Sequence, residues 1–222
     1  MWKIDQILQL FAPFDCLGCQ REGLLLCDLC RKSLVPFPPN RCYKCLQPSV
    51  TALCPTCQLK TELAQVWAAT AYKDVSRQLI ARIKFSRTQA AAYTIAQIMD
   101  RQLPIFSGCV VVHVPTAAQR IRQRGYDQAQ LIAQEFAKLR KLPYQPLLRR
   151  QGRTKQLGAT RQQRLAQLQN AYYCPRPFKV AGRTILLVDD VLTTGATVET
   201  AAKVLKEAGA AEVMAGLFAQ KI

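Results

Sequence analysis

Residues 185–200, ILLVDDVLTTGATVET, constrain this chain more than any other stretch. The aliphatic run 185–188 reads as a strand buried on both faces, as in the middle of a parallel sheet. Asp189 and Asp190 stand where that strand leaves the sheet, and residues 191–196 form a small-residue loop around Gly195. From Thr197 the apolar period turns helical, with Val198, Ala201, Ala202 and Leu205 on one face and Gly209 as the C-terminal stop. Strand, acid pair, loop and helix in this order predict an α/β fold built on a parallel sheet.

The chemistry of the arrangement is specific. Val191, Leu192, Thr193, Thr194, Gly195, Ala196 and Thr197 enter a helix, so backbone N–H groups and three hydroxyls face an anion at the positive end of the dipole. Gly195 lets the main chain approach that anion closely. Two carboxylates beside a phosphate would repel the ligand unless they serve sugar hydroxyls and a divalent cation. Phosphate below and diol above describe a ribose 5-phosphate site. Neither a P-loop pattern nor a G-x-G-x-x-G fingerprint occurs in the chain.

Eight of the ten cysteines precede residue 58, as four C-x-x-C pairs: Cys16/Cys19, Cys27/Cys30, Cys42/Cys45 and Cys54/Cys57. Two thiolates two residues apart grip one tetrahedral metal from a tight knuckle, and two knuckles complete a four-cysteine site. Short gaps within 16–30 and 42–57 predict sequential pairing into two zinc ribbons joined through Pro36, Pro38 and Pro39; an interleaved arrangement stays open. A disulfide framework suits a small secreted protein, and a redox role suits a lone pair, so structural Zn2+ at both sites is the expectation. The segment is too poor in apolar residues to hold a core without metal. Residues 1–60 therefore read as an N-terminal helix and double zinc ribbon, and residues 61–222 as a second domain.

Charge adds a constraint on partners. Lys and Arg total 31 against 14 acids, a formal +17. Two tetrathiolate zinc sites would lower this by about 2 each, to about +13. Polyanions, phosphorylated substrates or nucleic acid, are the expected partners. The opening MWKIDQILQLFAP is too polar for a signal-peptide core and reads as a short amphipathic helix. No apolar run has the length of a bilayer span, so a cytoplasmic protein without membrane insertion is expected.

The remaining pattern fills in an α/β chain. A strand is expected at 66–72, a helix at 75–85 with Arg77, Arg82 and Lys84 on a solvated face, and a second helix at 88–103. Residues 109–114, CVVVHV, read as a buried strand with His113 as a core residue; Cys109 and Cys174 read as packing residues. A basic loop follows, carrying Arg120, Arg122 and Arg124, then a helix over 128–139 capped by Asp127. Such a strand-end loop is where ligands bind in open α/β sheets. Residues 142–148 read as an edge strand, because they hold two prolines. The arginine-rich stretch that follows, with Arg153 and Lys155, reads as a mobile cationic lid over a leaving diphosphate, with a nucleic-acid-binding arm as the alternative. A last strand is expected at 213–219.

These pieces together resemble the ComF family of competence-related proteins, which place a cysteine-rich double zinc ribbon before a type I phosphoribosyltransferase domain with a Rossmann-like parallel sheet. The resemblance rests on the four C-x-x-C pairs; Ile83-Lys84-Phe85-Ser86; Val114-Pro115; Arg124-Gly125-Tyr126-Asp127-Gln128; Arg153-Thr154, Gln156, Arg161, Arg164 and Asn170-Ala171-Tyr172; and the acid–TTG block, which is the 5-phosphoribosyl 1-diphosphate (PRPP) signature. It implies that Asp189 and Asp190 hold the ribose hydroxyls and residues 191–197 the 5-phosphate. Pro115, Thr116, Arg122 and Arg124 would take the pyrophosphate, Mg2+ would bridge diphosphate and hydroxyls, and Arg153 and Lys155 would neutralise the leaving group. The acceptor stays open, with residues 58–85 and the ribbons as candidates for its pocket. Family members are implicated in handling incoming single-stranded DNA during natural transformation, so single-stranded DNA and competence-machinery proteins are implied partners. Two readings follow: a PRPP-dependent transferase, or a non-catalytic PRPP sensor that binds single strands.

Overall fold

Every residue of the aliphatic run 185–188 is fully buried, and the strand it forms runs through the middle of a four-stranded parallel sheet. The computed structural model describes residues 13–34, 37, 41–49, 53–85, 90–151 and 171–221. In chain order the elements are β1 (Phe14–Asp15), β2 (Glu22–Gly23), α1 (Asp28–Lys32), α2 (Pro55–Gln58), β3 (Gln65–Ala71), α3 (Asp74–Phe85), α4 (Ala90–Gln102), β4 (Cys109–His113), α5 (Ala118–Arg124), α6 (Gln128–Arg140), β5 (Arg149–Arg150), β6 (Tyr172–Tyr173), β7 (Thr184–Leu192), α7 (Ala196–Glu207) and β8 (Glu212–Gln220). The expected N-terminal helix, the proline linker and residues 152–170 fall outside the described residues.

The sheet order is β3-β8-β7-β4, all neighbours parallel. Period-two alternation along β7 sorts its side chains into two cores. Leu186 and Val188 pack with Ile83 of α3, Met99 of α4 and Phe136 of α6. Ile185 and Leu187 pack with Val198, Ala202 and Leu205 of α7. The two cysteine groups follow the same division: Cys16, Leu25, Leu26 and Leu34 join the first core, whereas Cys42, Tyr43, Leu53 and Cys57 join the second. The two cysteine groups thus lie against opposite faces of one sheet.

Two expectations are corrected. The basic stretch after β4 is a short helix, α5, not a loop: Ala, Gln and Arg are good helix formers, and Gly125 ends the turn in the left-handed region at φ 86°. Residues 142–148 form no strand. Their two prolines leave only a parallel bridge between Val111 and Tyr144, with the Val111 N–H donating to the Pro143 carbonyl at 2.8 Å. That bridge lies on the outer edge of β4, so the chain leaves β4 outward through α6, whereas it leaves β7 the other way through α7 to β8. The point between β4 and β7 is where the winding reverses, and ligands bind outside the carboxyl ends of strands at such a point.

Candidate functional site

The floor of that crevice is continuous, because the Val114 N–H donates to the Val188 carbonyl at 3.0 Å and extends the β4–β7 pairing. Above it the loop after β4 is tied down. Thr116 donates to Asp127 through its N–H at 2.8 Å and its hydroxyl at 2.9 Å, and Asp127 caps α6 by accepting from the Ala129 N–H at 3.0 Å. Pro115 and Thr116 are buried, so this segment acts as a rigid strap. His113 is buried beneath it; Nδ1 lies 2.9 Å from the Tyr144 hydroxyl and Nε2 4.0 Å from Asp127. Burial pushes the imidazole pKa down against the pull of Asp127, keeping the ring neutral. Asp127→Ala should cost about 2 kcal/mol in urea unfolding, since cap and strap are lost together.

The acid pair straddles the end of β7. Asp190 continues the row of Leu186 and Val188 and is buried; its Oδ2 pairs with Lys84 Nζ at 2.8 Å and accepts from Gln128 Nε2 at 3.2 Å. Asp189 continues the row of Ile185 and Leu187 on the α7 side, half-buried, with Oδ1 accepting the Asp190 N–H at 2.8 Å. Burial first, and the neighbouring Asp190 charge second, push the Asp189 carboxyl well above the ordinary carboxylate range. Among the described residues no cation pairs with it. Tyr172 of β6 stands on the same side, its hydroxyl accepting from Arg150 Nη1 at 3.1 Å.

The arginines of α5 divide by exposure. Arg122 faces solvent, while Arg124 is half-buried, donates to Gln128 Oε1 at 2.7 Å and lies 5.8 Å from the Phe85 ring centroid. Arg124, Gln128, Asp190 and Lys84 therefore form one chain of polar contacts across the α3 and α6 side of the crevice. Arg153 and Lys155 lie outside the described residues. Lys84 and Gln128 belong to the blocks that carry the resemblance, but pattern alone gives neither a site role: a solvated face is the expectation for Lys84, yet its side chain is 21% exposed and ion-paired. The available signal was its position four residues after Ile80 and one after Ile83, at the border of the inward stripe.

The glycine-bearing turn leads straight into α7. Thr193 and Thr194 are exposed; Gly195 is the N-cap at φ 77° and has no side chain of its own to offer, and the Ala196 N–H makes only a long contact, 3.5 Å, to Thr194 Oγ1. Its first N–H groups are thus presented at the positive end of the dipole, as an anion requires. Behind Gly195 stands Tyr43, so close that a Cβ added to the glycine would lie 3.3 Å from the ring.

The eight N-terminal thiols form two groups, Cys16, Cys19, Cys27 and Cys30, and Cys42, Cys45, Cys54 and Cys57, whose sulfurs lie within 4.8 Å of one another. Pairing is sequential. A tetrahedral zinc about 2.3 Å from each sulfur spaces the sulfurs about 3.8 Å apart. The Cys19–Cys27 and Cys45–Cys54 pairs stand at 3.7 Å, so both groups fit that ion. Burial acts upward on the Cys16 and Cys42 thiols, but main-chain N–H donors outweigh it and bring both down to about 6, while hydrogen bonds from neighbouring thiols push Cys30 and Cys57 up to about 12, so without an ion the charge of each group gathers on one sulfur.

Residues 121–222 match the phosphoribosyl transferase domain family. Competence protein ComFC of Bacillus subtilis (strain 168) is 29% identical over 204 residues, covering 84% of this chain and 80% of that one. DNA utilization protein YhgH of Escherichia coli (strain K12) is 28% identical over 218 residues, covering 85% and 93%. Along most of its length the chain is similar to these competence and DNA utilization proteins, and its C-terminal part matches a phosphoribosyl transferase domain. Among solved structures, glutamine PRPP amidotransferase from B. subtilis complexed with ADP and GMP aligns with TM-score 0.46 and 23% identity over 62% of this chain; the chain spans 30% of that enzyme. The matched segment starts within α5 and takes in α6, β7, α7 and β8, while β4 and both cysteine groups precede it. Among the described residues no helix is long and apolar enough to cross a membrane.

Proposed function

We propose that this protein is of the ComF type, binds PRPP between the carboxyl ends of β4 and β7 and transfers its phosphoribosyl group to an acceptor. The observation that carries the reading is Asp189: a half-buried carboxylate of raised pKa, with no ion-pair partner among the described residues although the field of Lys84 reaches it, beside a helix N-terminus capped by a glycine at the reversal point of the sheet. Such an acid is satisfied by sugar hydroxyls or a dication, and the turn below it by a phosphate.

In this reading the amides and hydroxyls of residues 191–197 hold the 5-phosphate, and Asp189 and Asp190 accept from the ribose hydroxyls on either side of the strand end. Pro115 and Thr116 shape the pyrophosphate side, with Arg122, Arg124, Arg153 and Lys155 neutralising the diphosphate as the C1–O bond breaks and the acceptor bonds to C1. Mg2+, when bound with PRPP, supplies charge neutralisation at the diphosphate. The division at residues 60 and 61 is then a chemical one, with thiolate ligands before it and phosphate and diol ligands after it.

The test is a thermal-shift and calorimetric titration with PRPP and Mg2+. At ~100 times its Kd the ligand should stabilise the fold by about 2.7 kcal/mol; no binding heat and no shift would sink the reading. Pyrophosphate release across a panel of nucleobases then separates transferase from sensor, since a sensor binds PRPP and releases none. The second reading, a PRPP sensor that binds single-stranded DNA, draws on the formal +17 charge and on relatives named for competence and DNA utilization. It predicts single-strand binding that weakens steeply with salt.

A further inference from the structure

We infer that the second cysteine group is a working part of the sugar-phosphate site: metal held by Cys42, Cys45, Cys54 and Cys57 and a phosphate held at the Gly195 turn strengthen one another. The inference rests on the sugar-phosphate reading above and adds a regulation to it.

The link runs through the knuckle itself. Tyr43 and Lys44 lie between Cys42 and Cys45, so a metal that fixes both sulfurs fixes the two side chains between them. The knuckle closes on itself, with the Leu46 N–H donating to the Cys42 carbonyl at 2.8 Å. Tyr43, 5% exposed, lies with its ring against Gly195, and Gln220 Nε2 at the end of β8 donates to the Tyr43 carbonyl at 3.3 Å. Both side chains converge on one acid of α7. The Tyr43 hydroxyl donates to Glu199 Oε1 at 3.1 Å, and Lys44 Nζ donates to the same oxygen at 2.7 Å. Lys44 Nζ also donates to the Lys60 carbonyl at 3.0 Å, which braces it from the far side.

Glu199 is the residue whose N–H closes the first turn of α7 onto the Gly195 carbonyl, at 2.9 Å. A bare carboxylate there would repel a phosphate seated on the same turn and compete for its amides. The knuckle removes that repulsion, because Lys44 neutralises the acid and Tyr43 donates to the same oxygen, the one that faces the Gly195 turn. Releasing the metal frees the knuckle and returns an uncompensated charge to the phosphate site. The first cysteine group supplies an internal control: it packs with Leu25, Leu26 and Leu34 against the α3 and α4 side, and among the described residues no hydrogen bond or ion pair joins it to α7.

Coupling between two binding sites is reciprocal in free energy, commonly about 5- to 150-fold. The experiment is an equilibrium competition for zinc between the full chain and a chromophoric chelator, with and without saturating ribose 5-phosphate, whose binding is measured by calorimetry in parallel. The expected result is that one of two zinc ions per chain becomes harder to extract by at least about fivefold. The protected ion should remain in Cys19→Ser and be missing in Cys45→Ser. Lys44→Met, which leaves all eight thiols in place, should weaken ribose 5-phosphate by at least about fivefold, and Glu199→Gln in that background should restore it. Unchanged extraction of both ions while calorimetry shows binding overturns the coupling and leaves the sugar-phosphate reading standing. Protection of the ion left in Cys45→Ser overturns it equally. No binding heat at all overturns the sugar-phosphate reading and takes the coupling with it.

Discussion

Asp190→Ala is expected to lower folding stability by about 3 kcal/mol, although the residue stands in the candidate sugar site. Its side chain is 8% exposed and pairs at 2.8 Å with Lys84, itself 21% exposed, while Gln128 donates from the other side. Removing the acid strands a largely buried ammonium and an amide donor together. Breaking such a pair from one side costs far more than replacing both partners, because the remaining charge keeps its desolvation penalty. Urea unfolding should show the loss, and Lys84→Met in the same background should recover most of it in a double-mutant cycle. A loss that Lys84→Met leaves untouched would mean that the pair is not what holds this corner. A substitution at Asp190 therefore tests folding before it tests ligand binding.

Asp189→Asn should do the reverse: stabilise the unliganded protein at neutral pH by about 1 kcal/mol while weakening PRPP about 10- to 100-fold. The folded-state pKa of Asp189 is raised, by burial first and by the Asp190 charge second. For a raised carboxyl the folded state holds its proton longer than the unfolded chain does. Its contribution to stability is complete below the unfolded value, about 3.9, and is lost as pH rises through the folded value. The amide removes that loss, so wild type and variant should agree at low pH and diverge as pH rises. The affinity change follows from losing an ionised acceptor for the sugar hydroxyls, a hydrogen bond stronger than a neutral one. Denaturation at a series of pH values, with PRPP calorimetry at neutral pH, measures both halves. A variant less stable than wild type at pH 7 would show that the charge of Asp189 has a partner and is no burden.

Asp189 and Asp190 also mark where local pattern stops being informative. Adjacent in sequence, they look like one bidentate unit, but β7 continues as a strand through Leu192, and alternation sends them to opposite faces. Only the helices laid over each face decide what they meet: Lys84 and Gln128 for one, the α7 side for the other. The Tyr43–Glu199 contact spans 156 positions, and no periodicity could have announced it. The α5 helix differs for a simpler reason: its three arginines suggest an anion-binding loop, whereas arginine, alanine and glutamine are also helix formers and Gly125 supplies the stop.

What the sequence determined by itself is everything written in short spacings: the doubly buried strand and its following helix, the Asp127 cap, and four thiol pairs in two groups. Such features depend on backbone geometry within a few residues, so composition and period report them directly. Tertiary structure alone decided which charges are neutralised and which are left in need, and that one cysteine group leans on the Gly195 turn while the other lies across the sheet. The partner of a buried charge is set by which distant element the winding places above it, and the cost of leaving a charge unpaired makes that placement matter.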